Sequence, residues 1–73
     1  MKLRWRKVPH EATWKARSNG LLLAIQYDYY DNDYTASVKP VSPIYRFFFT
    51  ATMFTKKIAQ QYCQDIVDAF EGD

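Results

Sequence analysis

The segment from Phe54 to Phe70 constrains the fold most, because it has the clearest helical period in the chain. Its apolar side chains recur at spacings of three and four, which places them on one stripe of a helix. Thr55 is a suitable N-cap, and Phe54 could pack against Ala59 as a hydrophobic staple. The sequence therefore predicts one helix over residues 55–70. Its apolar stripe consists of Ile58, Ala59, Tyr62, Cys63, Ile66 and Phe70.

The residues before this helix have the period-two pattern that is typical of strands. Leu21 to Tyr27 is apolar on both faces except at Gln26, so it should be a central strand with a neighbour on each side. Asn19-Gly20 before it is a strong hairpin signal. Further strands are predicted at 12–17 and 34–39, and 44–50 (or 44–52) is a last strand or an extended lead-in to the helix.

These elements predict an α+β fold, a three- or four-stranded antiparallel β-meander over residues 12–52 with the C-terminal helix packed on one face. We expect the other face of the sheet to be partly open to solvent. An open face of this kind is a natural place for a partner.

The chain of 73 residues predicts one domain without internal cross-links. A single cysteine excludes an intrachain disulfide, and the sequence offers no Cys/His cluster for a structural metal. Neither a signal peptide nor a membrane span is indicated, because the longest apolar run is Leu21 to Ile25. We therefore expect a cytoplasmic monomer without membrane contact.

Catalytic groups are scarce, and the sequence predicts a protein that is not an enzyme and needs no cofactor. His10 follows Pro9 in a connecting loop, and Cys63 lies on the apolar stripe of the helix, so no Cys–His pair is indicated. Asp28, Asp31 and Asp33 lie in a turn, where Asp commonly bonds to the local backbone. This run lacks the glycine and the distant glutamate of a calcium loop, so we expect turn chemistry there and no metal site.

Charge is distributed in blocks although the net charge is only +2. Residues 1–17 and 39–57 are basic, whereas 18–38 and 58–73 are acidic. Residues 1–10 form a basic extended arm or an edge strand, with Arg4 and Arg6 on one side and Leu3 and Trp5 on the other. The structural interpretation is a charged edge that resists pairing. The functional interpretation is a contact surface of Arg4, Trp5, Arg6 and Lys7, since arginine and tryptophan are enriched at interface hot spots.

Lys56 and Lys57 violate the usual preference of helix starts for acidic residues. Departures of this kind tend to occur at functional sites. They predict a second basic patch that could receive a phosphate or an acidic segment of a partner. The simpler alternative is a pair of solvated lysines.

Aromatic residues exceed what one small core can hold. Tyr29, Tyr30, Tyr34 and Tyr45 cannot all be buried, and tyrosine is an effective contact residue because it has few rotatable bonds. We include Tyr29, Tyr30 and Tyr34 among the candidate partner-binding residues. Phe47, Phe48 and Phe49 cannot all point inward from one strand, because successive side chains alternate faces.

Chain length, the absence of catalytic groups and the run Lys2-Leu3-Arg4-Trp5-Arg6-Lys7 resemble small phage-encoded regulators that bind host RNA polymerase, such as the transcription regulator of a Xanthomonas phage. This resemblance implies a non-catalytic inhibitor of a host machine. It implies docking on a polymerase subunit, displacement of sigma factor from promoter contacts, and antitermination. The basic arm would then steer the protein to an acidic surface.

Two alternatives stay open at the sequence level. The partner could be another host protein. Alternatively, a sheet followed by a helix resembles the arm-binding domains of phage integrases, in which the sheet enters the major groove of DNA. Lys15 and Arg17 fit that interpretation, whereas the acidic turn from Asp28 to Asp33 would lie where phosphates approach.

Overall fold

A computed structural model describes residues 2–18, 20–42, 44 and 47–71 of the chain. Within these residues the fold is an antiparallel sheet followed by one helix, as predicted. The elements are β1 (Arg6–Lys7), β2 (Thr13–Ser18), β3 (Leu21–Asp28), β4 (Asp33–Pro40), β5 (Phe49–Met53) and α1 (Lys56–Glu71).

The strands form a meander, with the order β1-β2-β3-β4-β5 across the sheet. The apolar strand β3 is central, which confirms the prediction from its sequence. The described residues contain five strands instead of three or four, because Arg6 and Lys7 of the arm pair with Lys15 and Trp14 of β2. The last strand begins at Phe49 and not at Ile44, whose side chain is 82% exposed.

The helix covers one face of the sheet and forms the core with it. Since cross-strand neighbours share a face, the register Ala16↔Leu23↔Val38 and Trp14↔Ile25↔Ala36 defines the covered side. The core residues from the sheet and the helix are Leu3, Ala16, Leu21, Leu23, Ile25, Ala36, Val38, Ala59, Cys63 and Val67.

The helix begins as predicted but is rotated relative to the predicted stripe. The Ile58 N–H donates to Thr55 Oγ1 at 3.1 Å, which confirms Thr55 as the N-cap. Ala59 and Cys63 are buried as predicted. The next buried residue along the helix is Val67, which the predicted stripe omitted. Ile58 and Phe70 are instead 52% and 51% exposed. The hydrophobic staple is also wrong, because Phe54 is 87% exposed.

Two turns have the local chemistry that their sequences indicated. Gly20 has φ +81° before β3, a conformation that glycine adopts without strain; Asn19 lies outside the described residues. In the turn between β3 and β4, Asn32 has φ 54°, and its Oδ1 accepts a hydrogen bond from the Tyr27 hydroxyl at 2.8 Å. These turns fix the β2–β3 and β3–β4 register.

Across the part of the chain that the structure describes, no helix has the length and apolar character needed to cross a membrane.

Candidate binding surfaces

The N-terminal arm is docked on the fold and does not extend away from it. Leu3 is 7% exposed, and its N–H donates to Gln64 Oε1 in the middle of α1 at 2.9 Å. Trp5 is half-buried and packs against the core. Arg4 and Arg6 are exposed, so the predicted alternation along the arm is confirmed. The arm therefore holds its arginines outward from an anchored backbone.

Lys7 and Lys56 both lie near Trp14. Lys7 is the cross-strand neighbour of Trp14, and Lys56 Nζ lies 4.7 Å from the centroid of the Trp14 ring. A cation at this distance is attracted by the ring quadrupole. Lys56 is accordingly half-buried, whereas Lys57 is exposed. The two lysines at the helix start thus have different environments, and Lys57 is the more accessible one.

The structure joins the arm to the helix start, which the sequence could only present as two separate patches. A groove of about 520 Å³ runs between them and is lined by Lys2, Leu3 and Trp5 on one side and by Lys57 on the other. Its far end is formed by α1 side chains, among them Asp68, which accepts a hydrogen bond from Gln64 Nε2 at 2.9 Å. We name the basic residues of the arm and of the helix start, together with Trp5, the β1-edge surface. It consists of Lys2, Arg4, Trp5, Arg6, Lys7, Lys56 and Lys57.

The candidate tyrosines divide into one packed ring and two exposed rings. Tyr34 lies between Trp14 and Tyr27, with ring centroids 6.1 and 5.0 Å away, so much of its surface is used inside the protein. Tyr29 contacts Tyr27 edge-on at 4.9 Å and is 74% exposed, and Tyr30 is 97% exposed. Tyr29 and Tyr30 are therefore the tyrosines of this set that present a contact area, and Tyr45 lies outside the described residues.

The acidic turn is organised by its own backbone. One carboxylate oxygen each from Asp28, Asp31 and Asp33 lies within 4.8 Å of the others, a set that a hard cation could in principle accept. Asp28 Oδ1, however, already accepts hydrogen bonds from the Tyr30 and Asp31 N–H groups, at 2.8 and 3.4 Å. This is the local bonding that the sequence indicated for a turn.

Cys63 is placed as a core residue. It is completely buried, and this burial raises the pKa of its thiol to about 11. A thiol with a raised pKa stays protonated at neutral pH and is a poor nucleophile. His10 lies exposed in the β1–β2 connection, where its φ is 64°.

A second surface lies on the face of the sheet away from the helix, the face that the sequence predicted to be partly open to solvent. The register places Arg17, Leu22 and Lys39 in one row across β2, β3 and β4. It places Lys15, Ala24 and Ser37 in the next row. The order and register of the strands were the missing signal, because Lys15 and Lys39 are far apart in the chain. We name this side of the sheet the open face.

No family model, no curated protein and no solved structure matches this chain. The two surfaces described above are therefore the features of the molecule that point to a function.

Proposed function

We propose that the protein is a non-catalytic regulator that binds a larger acidic partner through the β1-edge surface. The partner implied by the sequence resemblance is a subunit of a host RNA polymerase. Occupation of that subunit would change transcription initiation and termination without any chemical step on the part of this chain.

The observation that carries the proposal is the anchored arm. Leu3 is buried and bonded to Gln64, and Arg6 and Lys7 are paired with β2. A segment that is ordered before binding loses less conformational entropy on forming a complex than a free tail does. Arg4 and Arg6 are thus presented on a fixed backbone, and this favours recognition over non-specific attraction.

The arrangement of charge supports an acidic partner. The β1-edge surface carries six basic side chains, Lys2, Arg4, Arg6, Lys7, Lys56 and Lys57. Lys2 and Lys57 line a groove together with Trp5, a large ring that is half-buried and therefore still offers contact area. Positive charge raises the rate of encounter with an acidic surface, and a partly exposed ring adds desolvated contact.

The arginines can be tested with a matched pair of double variants. R4A/R6A removes two cations from the arm, and K15A/K39A removes the same charge from β2 and β4. We expect R4A/R6A to weaken binding to purified bacterial RNA polymerase about tenfold or more, mainly through a slower association rate. K15A/K39A should stay within about threefold of the original chain, since exposed charges outside a contact contribute little.

Biolayer interferometry with immobilised polymerase core enzyme, repeated with holoenzyme, measures both rates. Circular dichroism melts confirm that the variants are folded. The proposal is wrong if the original chain does not bind either form of the enzyme at micromolar concentration. Equal affinities of R4A/R6A and the original chain would instead remove the arm from the contact.

A further inference from the structure

The open face contains a cleft that the β1-edge surface does not explain. It has a volume of about 300 Å³. Its floor is formed by Ala24 and Ser37, which are direct cross-strand neighbours with small side chains. Its walls are Lys15 on one side and Lys39 with Phe48 on the other. The small residues make the depression, because the described helix packs on the other face of the sheet and does not fill it.

Among the described residues, Phe48 is an exposed ring that does not pack into the core. The rings of its neighbours Phe47 and Phe49 contact each other, with centroids 5.5 Å apart, and Phe47 stacks on Phe70 with centroids 5.4 Å apart. Phe48 has the opposite orientation, is 61% exposed, and forms a wall of the cleft. An exposed ring at the edge of a cleft offers a flat apolar surface to a planar ligand.

Charge on the open face has one sign around the cleft. Arg6, Lys15, Arg17 and Lys39 occupy adjacent rows of the register. Arg17 also lines a depression with Lys2 and Arg4, so the basic region continues around the edge of the sheet. Both observations indicate an anionic ligand.

The acidic turn lies too far along the strands to oppose that ligand. Asp28 and Asp33 pair at the opposite end of the β3–β4 hairpin from Leu22 and Lys39. The nearest row of the cleft, that of Lys15 and Ala24, lies four strand residues from Asp28, a distance of roughly 13 Å. This exceeds the Debye length of about 8 Å at physiological ionic strength, so the two charge regions act separately.

We propose that the open face binds single-stranded nucleic acid, with a base against Phe48 and the neighbouring phosphates on Lys15 and Lys39. Aromatic stacking combined with a basic track is the usual means of binding unpaired strands. A duplex keeps its bases stacked inside and cannot use the Phe48 ring in this way. An acidic peptide would use the lysines but gains nothing specific from the ring. The residues on which this inference depends, Phe48, Lys15 and Lys39, do not belong to the β1-edge surface, although Arg6 borders both basic regions.

The test is fluorescence anisotropy with a labelled 12-nucleotide oligo-dT and the corresponding oligo-U, at several salt concentrations. We expect F48A to weaken binding by about fivefold or more, the range found for the loss of one stacking contact. F54A is the matched control, since Phe54 is also exposed but lies outside the cleft. It should bind within about twofold of the original chain.

The lysines are tested by the salt dependence. K15A/K39A should weaken binding and reduce the slope of log K against log salt by about 1.4, since each phosphate contact on a single strand contributes about 0.7. K7A/K57A has the same net charge and should keep the original slope, because Lys7 and Lys57 lie on the helix side of the sheet.

Three results would overturn the proposal. One is the absence of binding to either oligonucleotide at low salt. Another is equal affinity for a 12-base-pair duplex with no effect of F48A, which indicates non-specific attraction to phosphates. The third is tighter binding of a labelled octa-aspartate peptide than of both oligonucleotides, which assigns the face to an acidic protein. If F48A does not fold, F48L keeps the apolar bulk without the ring and replaces it in the same assay.

Discussion

The covered face and the open face belong to the same strands, yet they carry different side chains and meet different surroundings. Leu23, Ile25 and Val38 on the covered face are at most 2% exposed and pack under the helix. Lys15 and Lys39 on the open face are exposed, and they lie close to the small residues Ala24 and Ser37. Because strand side chains alternate, one residue step separates a position that stabilises the fold from one that is free to bind.

The sharpest form of this comparison is a pair of adjacent leucines. Leu23→Ala should lower the free energy of unfolding by about 2–5 kcal/mol, because it leaves a cavity under the helix. That loss is a large part of the stability of a small domain. Leu22→Ala, one residue earlier and partly exposed on the open face, should cost less than about 1.5 kcal/mol. Urea unfolding followed by tryptophan fluorescence measures both.

Equal losses in the two leucine variants would contradict the assignment of the faces. The same contradiction would follow if Leu22→Ala were the more destabilising change.

Cys63 provides a pH-dependent test of the covered face. Burial raises the pKa of this thiol from 9.0 to about 11. The folded chain then binds more protons than the unfolded chain between these pH values, so stability falls as pH rises through that window. For one group the loss is about 1 kcal/mol by pH 10.

Lysines and tyrosines titrate in the same range, so Cys63→Ala serves as the reference. The original chain should lose about 1 kcal/mol more than Cys63→Ala between pH 8 and pH 10 in urea unfolding. Parallel pH profiles would show that the thiol is not buried as described.

Alanine variants of two threonines compare how much the helix start and the open face contribute to stability. Thr55 Oγ1 accepts the Ile58 N–H, and Thr55→Ala should cost about 1 kcal/mol. Thr52 is exposed on β5, where the register places it beside Thr35 on the open face. Thr52→Ala should change stability by less than about 0.5 kcal/mol. Equal shifts of Tm in the two variants would show that the Thr55 cap does not contribute to stability.

The smallest expected difference in stability is between variants of the two lysines at the helix start, Lys56 and Lys57. Both K56Q and K57Q remove an unfavourable cation from the positive end of the helix, a gain of about 0.3–1 kcal/mol for each. K56Q also loses the contact with Trp14, which is worth about 0.5–1 kcal/mol. We therefore expect K57Q to be more stable than K56Q by about 0.5 kcal/mol in paired urea titrations. The reverse order would indicate that the Trp14 contact contributes nothing.

Local patterns in the sequence predict the helix and the strands but not which of their side chains contact one another. Alternation located β2, β3 and β4 and the exposed arginines of the arm, and Thr55 marked the start of the helix. The rotation of the helix could not be derived, because Ile58, Phe70 and Val67 are all apolar and the sheet decides which of them fits underneath.

The surfaces depend on long-range contacts that no local pattern contains. The bond from the Leu3 N–H to Gln64 joins residues 61 positions apart. The cleft between Lys15 and Lys39 requires the register of three strands. The sequence therefore predicted the basic and aromatic composition of the sites, whereas the structure was needed to show which residues share a surface.

We propose that the basic residues outside the core bind a partner, whereas the buried side chains of the covered face only stabilise the fold. Cross-saturation NMR on the isotope-labelled chain with unlabelled RNA polymerase tests it most directly. We predict signal loss at residues 2–7 and 56–57, with the amides of Ala59, Cys63 and Val67 unaffected. Signal loss confined to the acidic turn from Asp28 to Asp33, with none in the arm, would contradict the claim.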